Sequence, residues 1–311
     1  MREPAGEPRL VSVVVPVYDS PAIEELTSRI EGVLSARGGD YEIILVDDAS
    51  RDPAMWPALR KLAETRANVR AVQLSRNFGQ QAATLCGLRE SRGDVVVTLD
   101  DDLQHDPADI PLLLAHAGRD IVIGQFATRE HSLPRRIGSR VKRMFDRLIL
   151  GAPRDVQFTS FRLLSRTVVD GMLSIRTPHP FLPALMLHVS RDLVGVPVTH
   201  GKRSAGRSGY TLRKLVRHFS NLLISNSSLL LRAVAYAGAS LAVVSFILAA
   251  WAIERRLVNH VHAQGWTSLF AALLLIGGLL LFSVGLIGEY LIRIVETTEA
   301  KPTYIVRRRT G

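Results

Sequence analysis

The chain has 311 residues, a formal charge of +10, a pI near 10.3 and a mean hydropathy of +0.15. That length suits one large domain or one domain with an appendage, and a basic chain of positive hydropathy fits a membrane protein facing anionic lipid or phosphate. The few Trp, Tyr and Phe are not interleaved with the basic runs, which argues against nucleic acid as the partner, and the single cysteine, Cys86, rules out an intrachain disulfide and reads as a small buried hydrophobe.

The opening MREPAGEPRL is polar, holds two prolines and lacks the apolar core of a secretory signal, so the N-terminus is expected to stay in the cytoplasm. Val11–Val17 reads as a strand. Residues 22–38 read as an amphipathic helix with Ile23, Leu26, Ile30 and Leu34 on one face. A strand at 41–48 ends in Asp47 and Asp48, and a helix (54–64), a strand (69–75) and a helix (80–91) follow. The β-branched run DVVVTL (94–99) predicts a buried strand. A short helix at 109–117 and a strand at 120–125 complete the series. Strand–helix alternation with nearly continuous apolar strands predicts an α/β fold with a mostly parallel sheet covered by helices.

In such sheets ligands bind beyond the strand C-termini. Asp47, Asp48, Asp100, Asp101 and Asp102 all fall there. Three adjacent carboxylates repel one another and give a fold no stability by themselves, so they call for a cation. With the side-chain carbonyl of Gln104, two of them make a hard oxygen set suited to Mg²⁺ or Mn²⁺ shared with a substrate diphosphate. Strand alternation directs Asp100 and Asp102 one way and Asp101 the other.

The second half differs. Ala233–Ile253 and Trp266–Gly288 are runs of 21 and 23 residues without a charge. Each is long enough to span a hydrocarbon core of about 30 Å. Lys and Arg concentrate before the first run and after the second, which places both flanks in the cytoplasm and the loop outside. Two basic amphipathic segments, at about 135–150 and 211–225, read as helices lying in the membrane interface. The expected division is a catalytic domain over 1–227, a transmembrane region over 228–295 and a cytoplasmic tail over 296–311.

The strings PVYDS (16–20), VDDAS (46–50), LSRNFGQQAA (74–83) and LDDDLQHDP (99–107) resemble the family 2 glycosyltransferases of the GT-A fold. SFRLLSR (160–166), RSAGRSGYTLRKL (203–215) and GEYLIRIVETTEAKPTYIV (288–306) narrow the resemblance to the polyprenyl-phosphate glycosyltransferases. It covers about Val11 to Val306. It implies inverting transfer of a sugar from a nucleotide-sugar, UDP-linked by preference, to undecaprenyl or decaprenyl phosphate, for cell-envelope use. It also implies an inner-membrane, multi-pass enzyme that assembles as an oligomer, a tetramer being one arrangement open to it.

By that resemblance Pro16, Tyr18, Asp19, Asp48, Asp100 and Asp101 bind the nucleotide-sugar, and Asp102 and Gln104 hold the metal. Asp100, Asp102, Arg136 and Arg203 act in catalysis. Arg203, Gly206, Ser208 and Tyr210 match the loop that closes over donor and acceptor phosphates; the need to hold the acceptor phosphate in line against the diphosphate makes Arg129, Arg135, Arg136, Arg140, Arg162 and Arg203 the candidate arginines for it. The chain departs from the family pattern at Asp19–Ser20, at Ala49, at Asp101, at Ser160, where many relatives carry Asp before Phe-Arg, and at Gly209. An inactive sugar-nucleotide scaffold and a polysaccharide synthase are the alternatives; the Gln-x-x-Arg-Trp string of the synthases does not occur.

Overall fold

The computed structural model describes residues 8–126, 156–177, 180–199, 265–298 and 302–310, with single positions at 240, 244 and 247, and only part of the side chains between 266 and 298. Two compact units divide the chain, one of residues 1–209 and 300–311, the other of residues 210–299.

The first unit is built on an eight-stranded sheet. In chain order its described elements begin β1 (Leu10–Val17), α1 (Ile23–Arg37), β2 (Asp40–Asp47), α2 (Met55–Thr65), β3 (Val69–Leu74), α3 (Gln80–Glu90) and β4 (Val95–Thr98). A 3₁₀ turn (Pro107–Asp109) leads into α4 (Ile110–Leu114), then β5 (Ile121–Phe126), β6 (Arg162–Ser165), α5 (Arg166–Ser174), α6 (Leu182–Val189), β7 (Leu193–Val198) and β8 (Val306–Arg309). The strand order is β7-β5-β6-β4-β1-β2-β3-β8. β1 pairs in parallel with both β2 and β4, and β2 with β3, while β6 and β8 run antiparallel to their neighbours. The sheet is therefore mostly parallel, as the alternation predicts.

Alternation along the strands sorts the core into two layers. Val11, Val13, Val15, Ile43 and Leu45 face α1 and α2 on one side. Val14, Ile44, Val46, Val72 and Val96 face α3, α5 and α6 on the other. Both faces of β1 are covered, and Val11, Val13, Val14, Val15 and Val17 are fully buried, which is why this strand reads as an unbroken apolar run. α3 packs unusually close: a Cβ on Gly87 would lie 2.2 Å from Val14 Cγ1. Cys86 is buried in that helix, and burial pushes its thiol up to about 12.

The winding places the site. β1, β2 and β3 step one way and β4 returns to the other side of β1. The gap between the C-termini of β1 and β4 is the topological switch point, where a doubly wound sheet opens a crevice.

β6, β7 and β8 were not read from the sequence. The tail after the long apolar stretch comes back to the sheet: β8 adds an eighth strand beside β3, with Thr310 Oγ1 accepting the Ala71 N–H at 2.8 Å. In the second unit, α7 (Trp266–Thr298) is a single helix of 33 residues that contains the second predicted span. Among the described residues no helix is long and apolar enough to cross a membrane, so the two expected spans are not borne out there. Apart from the single positions 240, 244 and 247, the first predicted span lies outside the described residues, as do both predicted interfacial helices and Arg129, Arg135, Arg136, Arg140, Arg203, Gly206, Ser208, Gly209 and Tyr210.

Candidate active site

A cleft of about 340 Å³ opens at the switch point. Pro16, Val17 and Tyr18 line it from the end of β1, Asp48 from the end of β2, and Asp100, Asp101 and Asp102 from beyond β4. Asn77, Gly79 and Gln80 close the side formed by the β3–α3 loop and the start of α3. All three lie in LSRNFGQQAA (74–83), where nothing in the residue types themselves marks them for a site.

Asp48 is almost fully buried, and its two oxygens accept the Phe78 and Gly79 amides at 2.7 and 2.8 Å. Burial still raises its carboxyl above the usual range, more than those two bonds lower it. Gly79 permits this loop because its φ is +94°. The neighbouring Asp47 is structural: it accepts the Ser50 N–H at 2.8 Å and the Gln73 amide at 2.9 Å.

Asp100 is held from two sides. The Gln80 side-chain amide donates to one oxygen, and the Ser160 hydroxyl donates to the other at 2.6 Å. Burial and the nearby Asp102 raise its carboxyl, while Ser160, Arg162 and Gln80 oppose the rise. Ser160, a departure from the family pattern, is thus a direct partner of the first acid. Arg162 stands behind it, only 5% exposed, with Nη1 3.8 Å from Met186 Sδ and Nε 3.5 Å from the Ser160 carbonyl. Burial lowers its guanidinium to about 10, and Asp100 works against that change. Arg162 is placed as a buried counter-charge to Asp100 and is not among the residues lining the cleft.

Asp101 corrects the expectation from alternation. β4 ends at Thr98, so the strand period no longer applies three residues later, and all three acids line the same cleft. Asp101 Oδ2 accepts the Tyr18 N–H at 3.1 Å, and its carbonyl accepts the Ser20 hydroxyl at 3.0 Å. It ties the end of β1 to the acid turn. Burial, with Asp100 and Asp102 beside it, pushes its carboxyl up to about 6. Asp102 Oδ1 accepts the Gln104 N–H at 3.1 Å, which closes the turn.

Asp19 lies beside the cleft and serves its rim. Its Oδ1 accepts the Arg51 and Asp52 amides at 2.7 and 3.0 Å. Asp19, Ala49 and Leu103 have φ of +50°, +55° and +58°. Ala49 bears a cost of about 1 kcal/mol for that conformation.

Among the described residues no three His, Cys, Asp or Glu side chains form a closed metal cage. An open set of one or two carboxylates, completed by water and a diphosphate, is what Mg²⁺-type ions use with nucleotides. The repelling acid turn fits such an ion by its donor chemistry and by its raised carboxyls.

A doubly wound sheet with an acid turn at its switch point fits a nucleotide-sugar transferase of the GT-A class. The chain belongs to glycosyl transferase family 2: the model of that family, described as "Glycosyl transferase family 2", matches residues 12–172. An undecaprenyl-phosphate 4-deoxy-4-formamido-L-arabinose transferase of Pseudomonas aeruginosa (strain LESB58) is 35% identical over 305 residues, covering 96% of this chain and 90% of the relative. The like-named protein of Pectobacterium atrosepticum is also 35% identical, covering 96% and 93%. In fold the chain resembles glucosyl-3-phosphoglycerate synthase from Mycobacterium tuberculosis, solved with phosphoglyceric acid, at a TM-score of 0.50 and 20% identity, with 70% of this chain and 80% of that one covered.

Proposed function

We propose that the protein transfers a sugar from a nucleotide-sugar, UDP-linked by preference, to undecaprenyl or decaprenyl phosphate at the cytoplasmic face of the inner membrane, with inversion at the anomeric carbon. The observation that carries this reading is the acid-lined cleft at the switch point, in a chain that aligns almost end to end with undecaprenyl-phosphate sugar transferases. Pro16, Tyr18, Asp48, Asp100 and Asp101 face the nucleotide-sugar, with Asp19 shaping the rim. Asp102 and Gln104 would hold Mg²⁺ or Mn²⁺, which supplies Lewis-acid charge relief at the leaving diphosphate.

The acceptor dictates what the remaining residues must do. The second pKa of a phosphate monoester is about 6, so the acceptor is largely dianionic at neutral pH and is already a nucleophile. No side chain has to remove a proton from it. That fits Ser160, whose hydroxyl hydrogen is given to Asp100. What the reaction needs is an arginine set that holds one phosphate in line against another. Arg129, Arg136, Arg140 and Arg203, with Ser208 and Tyr210, are assigned to it, and Arg162 supports the site from behind Asp100.

Membrane residence belongs to the same proposal. α7 contains 23 consecutive uncharged residues, about 35 Å of helix at ~1.5 Å per residue. Leu269, Leu273, Ile276, Leu280, Val284 and Ile287 form an exposed apolar stripe along it, a surface suited to lipid. Residues 210–299 leave the first unit and return to it. A segment with both ends tied to one soluble unit crosses a bilayer an even number of times, which supports two spans with both flanks cytoplasmic. The interfacial helices and an oligomeric, tetrameric assembly complete the reading.

The test incubates the membrane-embedded protein with undecaprenyl phosphate and a panel of UDP-sugars, including 4-deoxy-4-formamido-L-arabinose, and reads the glycolipid by mass. One donor should give a polyprenyl-phosphate monosaccharide only with divalent cation present. UDP binding without product from any donor would overturn the transferase reading.

A further inference from the structure

Residues 302–310 return to the sheet three residues after α7 ends. They do more than cover an edge. β8 pairs with β3 through Val72–Arg309, Gln73–Arg308 and Leu74–Val306, with a register shift between Gln73 and Leu74. The pairing runs on past the strand: the Ser75 N–H donates to the Ile305 carbonyl at 2.8 Å. Ser75 opens the β3–α3 loop, whose Phe78 and Gly79 amides hold Asp48 and whose Asn77 and Gly79 line the cleft.

Tyr304 packs into the same apolar cluster as Phe78 and Cys86. Cys86 lies in α3, the helix that begins with Gln80, the donor to Asp100. Farther along, Arg309 pairs with Glu90 at the other end of α3 at 3.0 Å, and the Thr303 hydroxyl donates to the Thr177 carbonyl at 2.7 Å. Ser75, Arg76 and Asn77 are exposed, and the loop ends in a left-handed glycine. A segment of that kind opens readily unless something fixes its ends.

We propose that the C-terminal strand is a positioning element for the donor cleft: Tyr304 and Ile305 hold the β3–α3 loop and the start of α3 in the one arrangement that presents Asn77, Gly79, Asp48 and Asp100 to a nucleoside diphosphate. The inference rests on the reading of this cleft as the donor site. It makes the tail beyond α7 a determinant of donor affinity while leaving the acceptor side untouched. Tyr304 and Ile305 act through the loop and do not themselves touch substrate.

The test uses the full-length protein with UDP and Mg²⁺ as probe. Tyr304→Ala should weaken UDP binding and raise the donor KM about tenfold, as expected when about one molecule in ten keeps the competent loop. The acceptor KM, and kcat at saturating donor, should stay at the wild-type values. Amide exchange should quicken at Phe78 and Gly79 and stay unchanged in β1. Tyr304→Phe, which keeps the packing, should restore UDP affinity to within about twofold of wild type. If Tyr304→Ala fails to fold, Tyr304→Leu carries the same readouts. Unchanged UDP affinity with unchanged loop exchange would overturn the proposal, as would donor and acceptor KM rising together. Failure of the wild-type protein to bind UDP would instead overturn the donor-site reading, and loop exchange would still judge the role of the tail.

Discussion

Asp101→Asn should stabilise the ligand-free protein at neutral pH, although it alters the centre of the acid turn. The Asp101 carboxyl is pushed from its ordinary 3.8 up to about 6, chiefly by burial and then by Asp100 and Asp102. The folded state therefore binds a proton that the unfolded chain has released between about pH 4 and pH 6. Stability contributed by this group is complete below about pH 4 and falls as pH rises through that window, because the native state holds more protons there. At ~1.36 kcal/mol per pH unit the loss reaches about 3 kcal/mol above pH 6. An asparagine at 101 escapes that loss and still offers an oxygen to the Tyr18 N–H, so the gain at pH 7 should approach about 3 kcal/mol. Urea titrations of the detergent-solubilised protein across that pH range should show the wild-type stability dropping and the variant's staying nearly flat. Saturating Mg²⁺ should narrow the gap, since a cation relieves the same repulsion. Equal stabilities at pH 7, with parallel pH profiles, would refute the reasoning.

Asp102→Asn should abolish sugar transfer while leaving the unfolding midpoint equal to or above that of the wild type, read by glycolipid mass and by urea titration. Ser160→Ala removes the 2.6 Å hydroxyl bond to Asp100 but leaves Gln80 in place; turnover should fall about tenfold, the worth of one hydrogen bond to a charged group, and Ser160→Thr should recover most of it. Gly87→Ala drives a Cβ to 2.2 Å from Val14 Cγ1, so α3 must lift from the sheet; about 1–3 kcal/mol of stability should go, measured by denaturation, and donor affinity should fall because Gln80 shifts with the helix.

The chain from β1 to β5 was legible because its strands are buried on both faces and its helices show a clear apolar stripe. β6 was not, because it is only four residues long, opens with Arg162 and enters antiparallel between β4 and β5. β8 was hidden by its own composition. Val306 is followed by Arg307, Arg308 and Arg309, which read as a basic tail. On an edge strand such charge is a device against pairing with other chains, so the same residues serve as strand and as guard. The acid turn was legible as a site, but its internal division of labour was not. Strand alternation does not reach the acids, because β4 ends at Thr98. Gln80 and Ser160 had no signal of their own, since a glutamine at a helix start and a serine before Phe-Arg acquire a role only when the fold brings them to Asp100.

Local conformational rules fail together at this cleft. Asp19, Ala49 and Leu103 are the described non-glycine residues with positive φ, and they follow the ends of β1, β2 and β4. Each costs about 1 kcal/mol or more. Beside them stand three consecutive carboxylates, two of them with raised pKa. A fold under selection for stability alone would place glycine at the turns and neutral side chains in the crevice. The strain is tolerated because β1 is buried on both faces and locked in parallel register to β2 and β4. That rigid core fixes the strand ends, and the strand ends hold the acids together at one point, where on the reading proposed above a cation would offset their charge. Strain and like charge tend to gather at functional sites, so their coincidence at the switch point supports this cleft as the candidate site independently of any relative.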